Sequence, residues 1–168
     1  MPRTGTTSTD GETGAGVAKD IVEQEMHNCE HFYIFGTDTM ASGDEKFVTI
    51  TIPAGKHFRF RWDISSTASF ETALYKTPTV SGGTAMTVLN SRIDCDNASN
   101  ATIKAGVSVS DYGTKIDGAR WGERRFGGAS NAGDGLILTE GTYLRHMKSN
   151  ANSNEVSFKA YWTEHNNK

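Results

Sequence analysis

The stretch MHNCEHF, residues 26–32, carries two histidines, one cysteine and one glutamate, which are residue types that ligate metals. His27, Cys29 and His31 recur at every second position, so on a β-strand their side chains would share one face. Imidazole and thiolate groups bind zinc tetrahedrally, and such a site needs a fourth ligand. The other histidines are scattered along the chain. We therefore favour a strand whose polar face meets solvent or a partner, with FYIF (32–35) entering the core. We predict no metal, and a zinc site remains the alternative.

Patterns of hydrolytic enzymes are absent from the sequence. It contains no nucleophile elbow, no paired-carboxylate motif and no phosphate-binding loop. GGASNAGDG (127–135) has the glycines of a phosphate loop but lacks its lysine. Near the C-terminus, Tyr161, Glu164 and His165 are explained more simply by a core strand followed by a solvated tail. We predict no catalytic residue, no cofactor and no enzyme activity, although a triad assembled from distant residues leaves no local pattern.

The segment RWGERRFGG (120–128) combines aromatic residues with arginines, which are enriched at the centres of protein interfaces. One interpretation is a loop that docks on a protein partner. Arginines and aromatic rings also stack on single-stranded nucleic acid. In the third interpretation the aromatic residues cap the core and the arginines are solvated. The candidate interface residues in this segment are Trp121, Arg124, Arg125 and Phe126.

Composition places the chain among globular proteins and excludes some functions. It has 168 residues, of which 36% are hydrophobic and 22% charged. This length is sufficient for one hydrophobic core and short for two domains. A net charge of −3 and a pI near 5.9 argue against binding nucleic acid or a membrane surface. We find no signal-peptide pattern and no apolar run of the ~18 residues that span a bilayer. The two cysteines are too few for a disulfide framework and favour a reducing compartment, so we expect synthesis in a cytoplasm.

The apolar residues follow a β pattern from residue 30 onward. KFVTITI (46–52) alternates, and after the turn residues of PAGK so does HFRFRWDI (57–64), which predicts a hairpin. Further strands are predicted at 70–76, 84–90, 101–109, 135–140, 142–148 and 155–163. These features predict an all-β protein, an antiparallel β-sandwich of jelly-roll type. Residues 1–22 are predicted to form an extended N-terminal arm, because residues 1–20 are almost without apolar side chains, and 23–168 a single domain.

Two segments resemble a family of small structural proteins of tailed bacteriophages. LYKTPTVSGGTAMTVLNSR (74–92) is similar to a recurring segment of that family, and LILTEGTYLRHMKSNANSNEVSFKAYWTEH (136–165) is similar to its terminal block. MHNCEHF lies where the family carries a histidine-rich segment, and RRFGG lies where it has a loop with glycine and arginine. The resemblance extends from about residue 25 to residue 165.

The resemblance implies a β-sandwich virion protein, a capsid decoration or cement protein that binds and stabilises the shell. The expected partners are the major capsid protein and further copies of the chain, as a dimer or trimer, without nucleic acid or membrane. The expected location is the outer capsid surface, after synthesis in the bacterial host cytoplasm. Arg3, Thr6 and Val17 of the arm would then contact a neighbouring protein. A host-recognition module or a fibre or tail component is the alternative.

Overall fold

The computed structural model describes residues 8–9, 16–17, 28–122 and 135–166. All regular secondary structure in these ranges is β, and no helix in them is long and apolar enough to cross a membrane. The strands are β1 (Ser8–Thr9), β2 (Gly16–Val17), β3 (His31–Met40), β4 (Glu45–Ser66), β5 (Phe70–Lys76), β6 (Thr79–Ala85), β7 (Leu89–Asn90), β8 (Thr102–Asp111), β9 (Thr114–Trp121), β10 (Leu136–Ser149) and β11 (Asn154–Asn166).

Strands β3 to β11 form one nine-stranded antiparallel sheet, and within the described residues β1 pairs only with β2. The order is β7-β3-β11-β4-β10-β5-β9, with β8 paired to β4 and β6 paired to β8. The second half of β4 pairs with β11, whereas its first half pairs with β8. One hydrophobic cluster contains side chains from both halves of β4 and from β3, β5, β8, β10 and β11. The all-β prediction is confirmed, and the jelly-roll arrangement stays a prediction.

The predicted hairpin around PAGK is wrong. Both halves of β4 pair with β10 in the same antiparallel direction, so the chain does not reverse between them. The register shifts between Thr139 and Gly141, because Pro53–Lys56 form a bulge opposite Glu140. Gly55 adopts a φ of 75° there, and its N–H donates to Glu140 Oε2 at 3.1 Å. Turn residues at this position therefore bend a long strand instead of ending it.

The alternation in the sequence of β4 corresponds to alternating burial. Val48, Ile50 and Ile52 are buried in the first half of β4, and Phe58, Phe60, Trp62 and Ile64 are buried in the second. On β11, Trp162 stacks on Phe60 with ring centroids 5.0 Å apart. Phe158 pairs with Gly36 of β3, and a Cβ at Gly36 would lie 2.6 Å from the Phe158 ring. The glycine thus makes room for an aromatic side chain at the rim of the core.

Other predicted strands differ from the structure in their bounds. The strands predicted at 135–140 and 142–148 are one continuous strand, β10, and the strand predicted at 84–90 is replaced by the end of β6 and the short β7. Strand β9 was not predicted, because only Ile116 and Trp121 are large apolar residues in its sequence. Among the described strands it pairs with β5 alone, at the edge of the sheet, and edge strands need little hydrophobic alternation.

The two cysteines form a disulfide bridge, with a Cα–Cα distance of 5.8 Å. Because the chain has only two cysteines, we expected free thiols in a reducing compartment. The structure pairs them instead. The bridge connects the segment before β3 to the loop after β7, across a sequence separation of 66 residues. A single bridge leaves no spacing pattern, so a count of two cannot distinguish a pair from two free thiols.

Gly113, in the turn between β8 and β9, should tolerate no side chain. Its φ is 74°, and a Cβ there would lie 2.3 Å from the carbonyl oxygen of Lys76. Gly55 has nearly the same φ, 75°, with nothing within 4 Å of a Cβ. We expect Gly55→Ala to lower the free energy of unfolding by about 1 kcal/mol and Gly113→Ala by about 3 kcal/mol, since the second change adds a backbone clash to the strain.

Urea denaturation of the two glycine variants measures the difference directly. Equal losses of stability at the two positions would show that the turn after β8 can move away from Lys76.

Candidate functional site

The two candidate metal ligands within the described residues, Cys29 and His31, both have other partners. Cys29 lies in a turn with a φ of 62°, and its sulfur is bonded to Cys95. His31 begins β3, and its Nδ1 lies 2.5 Å from Ser91 Oγ. Burial, and then the charge of Lys159, lower the pKa of His31, so the ring is held neutral. No three His, Cys, Asp or Glu side chains of the described ranges are grouped as metal ligands, and His27 lies outside those ranges.

Most of the predicted interface residues lie outside the described residues. Of the arm, the structure describes the backbone of Val17, which pairs with Ser8. Trp121 ends β9, where its backbone pairs with Phe70. The candidates outside the described ranges are Arg3, Thr6, Arg124, Arg125 and Phe126.

Glu164 is the centre of a hydrogen-bond cluster that the sequence did not reveal. Its side chain is buried, and its Oε1 accepts hydrogen bonds from Ser99 Oγ and, at 3.1 Å, from Trp162 Nε1. Asn100 donates its backbone N–H to Oε1 at 3.0 Å and its side-chain Nδ2 to Oε2 at 2.6 Å. The predicted solvated tail is therefore wrong, because β11 continues to Asn166. The Glu164 carboxylate on this strand anchors the loop before β8.

Arg145 of β10 is a second buried charge without an evident catalytic partner. Its guanidinium lies 5.0 Å from the ring centroid of Trp62 and 3.6 Å from Asp117 Oδ2. Burial lowers the pKa of Arg145 to about 10, and the nearby Asp117 carboxylate offsets this effect only in part. Trp62 packs against the guanidinium, and the partly exposed Asp117 pairs with it.

The solvent-facing side of β3, β11 and the second half of β4 carries four rows of three outward side chains. We call these residues the outer face. Its members alternate with buried core residues such as Ile34, Ala160 and Trp62. The rows are Tyr33–Tyr161–Arg61, Phe35–Lys159–Asp63, Thr37–Ser157–Ser65 and Thr39–Glu155–Thr67. Thr67 directly follows β4, and its N–H donates to the Glu155 carbonyl at 3.0 Å.

One end of the outer face carries three aromatic rings, two cations and the carboxylate of Asp63. The Tyr33 and Phe35 rings lie 6.4 Å apart at an interplanar angle of 25°. Lys159 Nζ lies 4.7 Å from the Tyr33 centroid, and the Arg61 guanidinium lies 5.3 Å from the Tyr161 centroid. Phe35 is 61% exposed, although an aromatic ring of that size is normally covered.

Hydrogen bonds fix the polar groups between these rings. Tyr161 donates its hydroxyl to Asp63 Oδ2 at 2.6 Å, and Arg61 Nε donates to Oδ1 at 3.3 Å. Burial and then the hydrogen bond to Asp63 raise the pKa of Tyr161 to about 12, so this hydroxyl stays protonated. The aromatic end is thus held in one arrangement before any ligand binds.

The other end of the outer face is an open groove with a volume of about 570 Å³. It is lined by residues 37–39, 65–67 and 155–157, which supply hydroxyls and the carboxylates of Asp38 and Glu155. The hydroxyls of Ser65 and Ser157 hydrogen-bond to each other at 2.6 Å. A groove of this kind offers hydrogen-bond donors and acceptors beside an exposed aromatic ring.

Sequence reasoning missed the outer face, although its signal was present. HFYIFGTDT has aromatic residues at alternating positions, and we assigned all of FYIF to the core. The structure buries only Phe32 and Ile34, whereas Tyr33 and Phe35 point outward. The pairing partners of these residues on β11 and β4 could not be read from a single sequence.

Comparisons with protein-family models, with curated proteins and with solved structures found no match. The phage-protein family therefore remains a prediction from the resemblance. The chemistry of the outer face is argued from its geometry alone.

Proposed function

We propose that this chain is a non-enzymatic structural protein of a tailed-phage virion, a capsid decoration or cement protein that binds and stabilises the major capsid shell. In this proposal it forms a jelly-roll β-sandwich on the outer capsid surface after synthesis in the bacterial host cytoplasm. Its partners are the major capsid protein and other copies of the chain, in a dimer or trimer.

The observation that carries the proposal is the position of the segments that resemble the phage family. Residues 74–92 contain the end of β5 and all of β6 and β7, and residues 136–165 contain β10 and nearly all of β11. These strands include the centre of the sheet, so the resemblance concerns the residues that determine the fold. A non-catalytic role is also supported by Glu164 and Arg145, the two buried charges described above, because their partners belong to the fold.

Symmetry explains how a small protein of this kind stabilises a shell. Each copy makes a modest contact, and repetition around the shell multiplies the number of such contacts. A chain that touches two neighbouring capsid subunits also gains from effective concentration, because its second contact is intramolecular. The proposed arm of residues 1–22 provides such a second contact.

The number of copies per particle tests this function. Quantitative densitometry of purified virions should give a constant ratio of one copy to one or a few major capsid subunits. A dozen copies or fewer would contradict a decoration role and place the chain at a vertex, tail or fibre. Absence from the particle would exclude every virion role.

A host-recognition module is the second candidate, and the outer face favours it. An exposed aromatic ring beside a polar groove is a binding surface that stabilising a shell does not require. The two roles are compatible in one protein, because the proposed arm and the outer face are different parts of the chain.

A further inference from the structure

We propose that the outer face is a carbohydrate-binding site for a short neutral oligosaccharide, with Phe35 as its stacking platform and the hydroxyl-lined groove as its polar half. This binding function goes beyond the proposed role on the capsid and does not depend on it. It rests on a juxtaposition of aromatic and hydroxyl side chains that folding alone does not explain.

The exposed ring supplies the first half of the argument. A sugar ring has one face of C–H groups, and the electron-rich face of an aromatic ring attracts such groups. Phe35 presents an open ring, because 61% of the residue is exposed and the Lys159 ammonium lies over the neighbouring Tyr33 instead. The ring lies two residues before Thr37, so about 7 Å separates it from the groove along the strand.

The groove supplies the second half. Its volume of about 570 Å³ is in the size range of small-ligand sites. Sugar hydroxyls both donate and accept hydrogen bonds, and so do the side chains of Thr37, Ser65 and Ser157. These side chains stand on three paired strands and are held by the sheet, so little entropy is lost when they bind.

The charges favour a neutral ligand. Arg61 and Lys159 are the cations of the outer face, and Asp63 and Glu155 are its anions. Arg61 and Asp63 also pair with each other at 3.3 Å, so no cluster of one sign faces the solvent. A nucleic acid or an acidic polysaccharide requires an excess of positive charge, which this surface lacks. A protein partner is disfavoured because the outward side chains of the groove are all polar, whereas the centre of a protein interface is apolar.

Binding of defined oligosaccharides to the full-length protein tests the proposal. Isothermal titration and saturation-transfer NMR would use maltohexaose, cellohexaose, mannohexaose and N-acetylchitohexaose, with hexagalacturonate as the acidic comparison. We expect at least one neutral hexasaccharide to bind at millimolar concentrations or below. Phe35→Ala should weaken that binding at least about tenfold. Ser157→Val, which removes a groove hydroxyl and suits a β-strand, should also weaken it.

Ile116→Ala is the matched control. Ile116 is an exposed apolar residue, 42% accessible, on the edge strand β9 away from the groove, and its removal should leave binding unchanged. Thermal unfolding of each variant distinguishes lost binding from lost folding. The proposal is overturned if no neutral hexasaccharide binds or if Phe35→Ala binds as well as Ile116→Ala. It is also overturned if Phe35→Ala reduces only attachment to capsids, which would make the outer face a protein-docking surface and leave the decoration role intact.

Discussion

Replacing both Cys29 and Cys95 with serine should lower the free energy of unfolding by up to about 4 kcal/mol. The bridge closes a loop with a sequence separation of 66 residues, and this loop contains all of β3, β4, β5, β6 and β7. Breaking it gives the unfolded chain more freedom without removing any core side chain. Urea denaturation of the oxidised wild type and of the double-serine variant gives the difference.

The reduced wild-type protein is the control for this disulfide prediction. It should match the double-serine variant, because both lack the bridge and serine is nearly isosteric with cysteine. Equal stability of the oxidised and reduced proteins would mean that the other contacts of this region already hold it in place. Those contacts include the hydrogen bonds from Asn90 Nδ2 to the Cys29 carbonyl, 3.0 Å, and from the Ser91 N–H to the His31 carbonyl, 2.9 Å.

The fold class could be predicted because the alternation of apolar and polar residues, which is visible in the sequence, indicates alternating burial on a strand. The alternating apolar positions of β4 are buried, and β5 has the predicted bounds. The errors occur where one local signal has two structural outcomes. Pro53 and Gly55 suit both a hairpin turn and a bulge, and the choice depends on whether a third strand, here β10, pairs across the break.

The polar sites could be predicted far less well, because distant pairing creates them. Glu164 meets Ser99 and Asn100 only after β11 has paired with β3 and β4, and no local pattern connects these residues. The same holds for Phe35, since a row of alternating aromatic residues does not reveal which face of the strand meets the core. The spacing of His27, Cys29 and His31 carries a related ambiguity, because period-two spacing aligns side chains only within a strand, and Cys29 precedes β3.

Glu164→Ala should lower the free energy of unfolding by about 3 kcal/mol, because the change leaves several donors without an acceptor at once. Trp162 would lose the partner of its buried Nε1 while its ring stays packed against Phe60. Asn100 would lose the acceptor of both its backbone N–H and its side-chain amide. Hydrogen bonds to a charged group are stronger than neutral ones, so the loss exceeds that of an ordinary surface contact. Urea denaturation measures the change.

Two further substitutions are controls for Glu164→Ala. One removes the charge of Glu164 but keeps its shape, and the other removes a different carboxylate from β11. Glu164→Gln keeps the shape and one acceptor oxygen but points an amide at the donors of Asn100, so we expect it to be intermediate in stability. Glu155→Ala removes an exposed carboxylate from the same strand and should change stability by less than about 0.5 kcal/mol. If Glu164→Ala were as mild as Glu155→Ala, water would be able to replace the carboxylate, and the loop from Ser99 would be held by the Cys29–Cys95 bridge instead. The Glu164 carboxylate and the disulfide bridge both anchor this loop. Removing the two together should therefore lower the free energy of unfolding by an amount that differs from the sum of the two single losses.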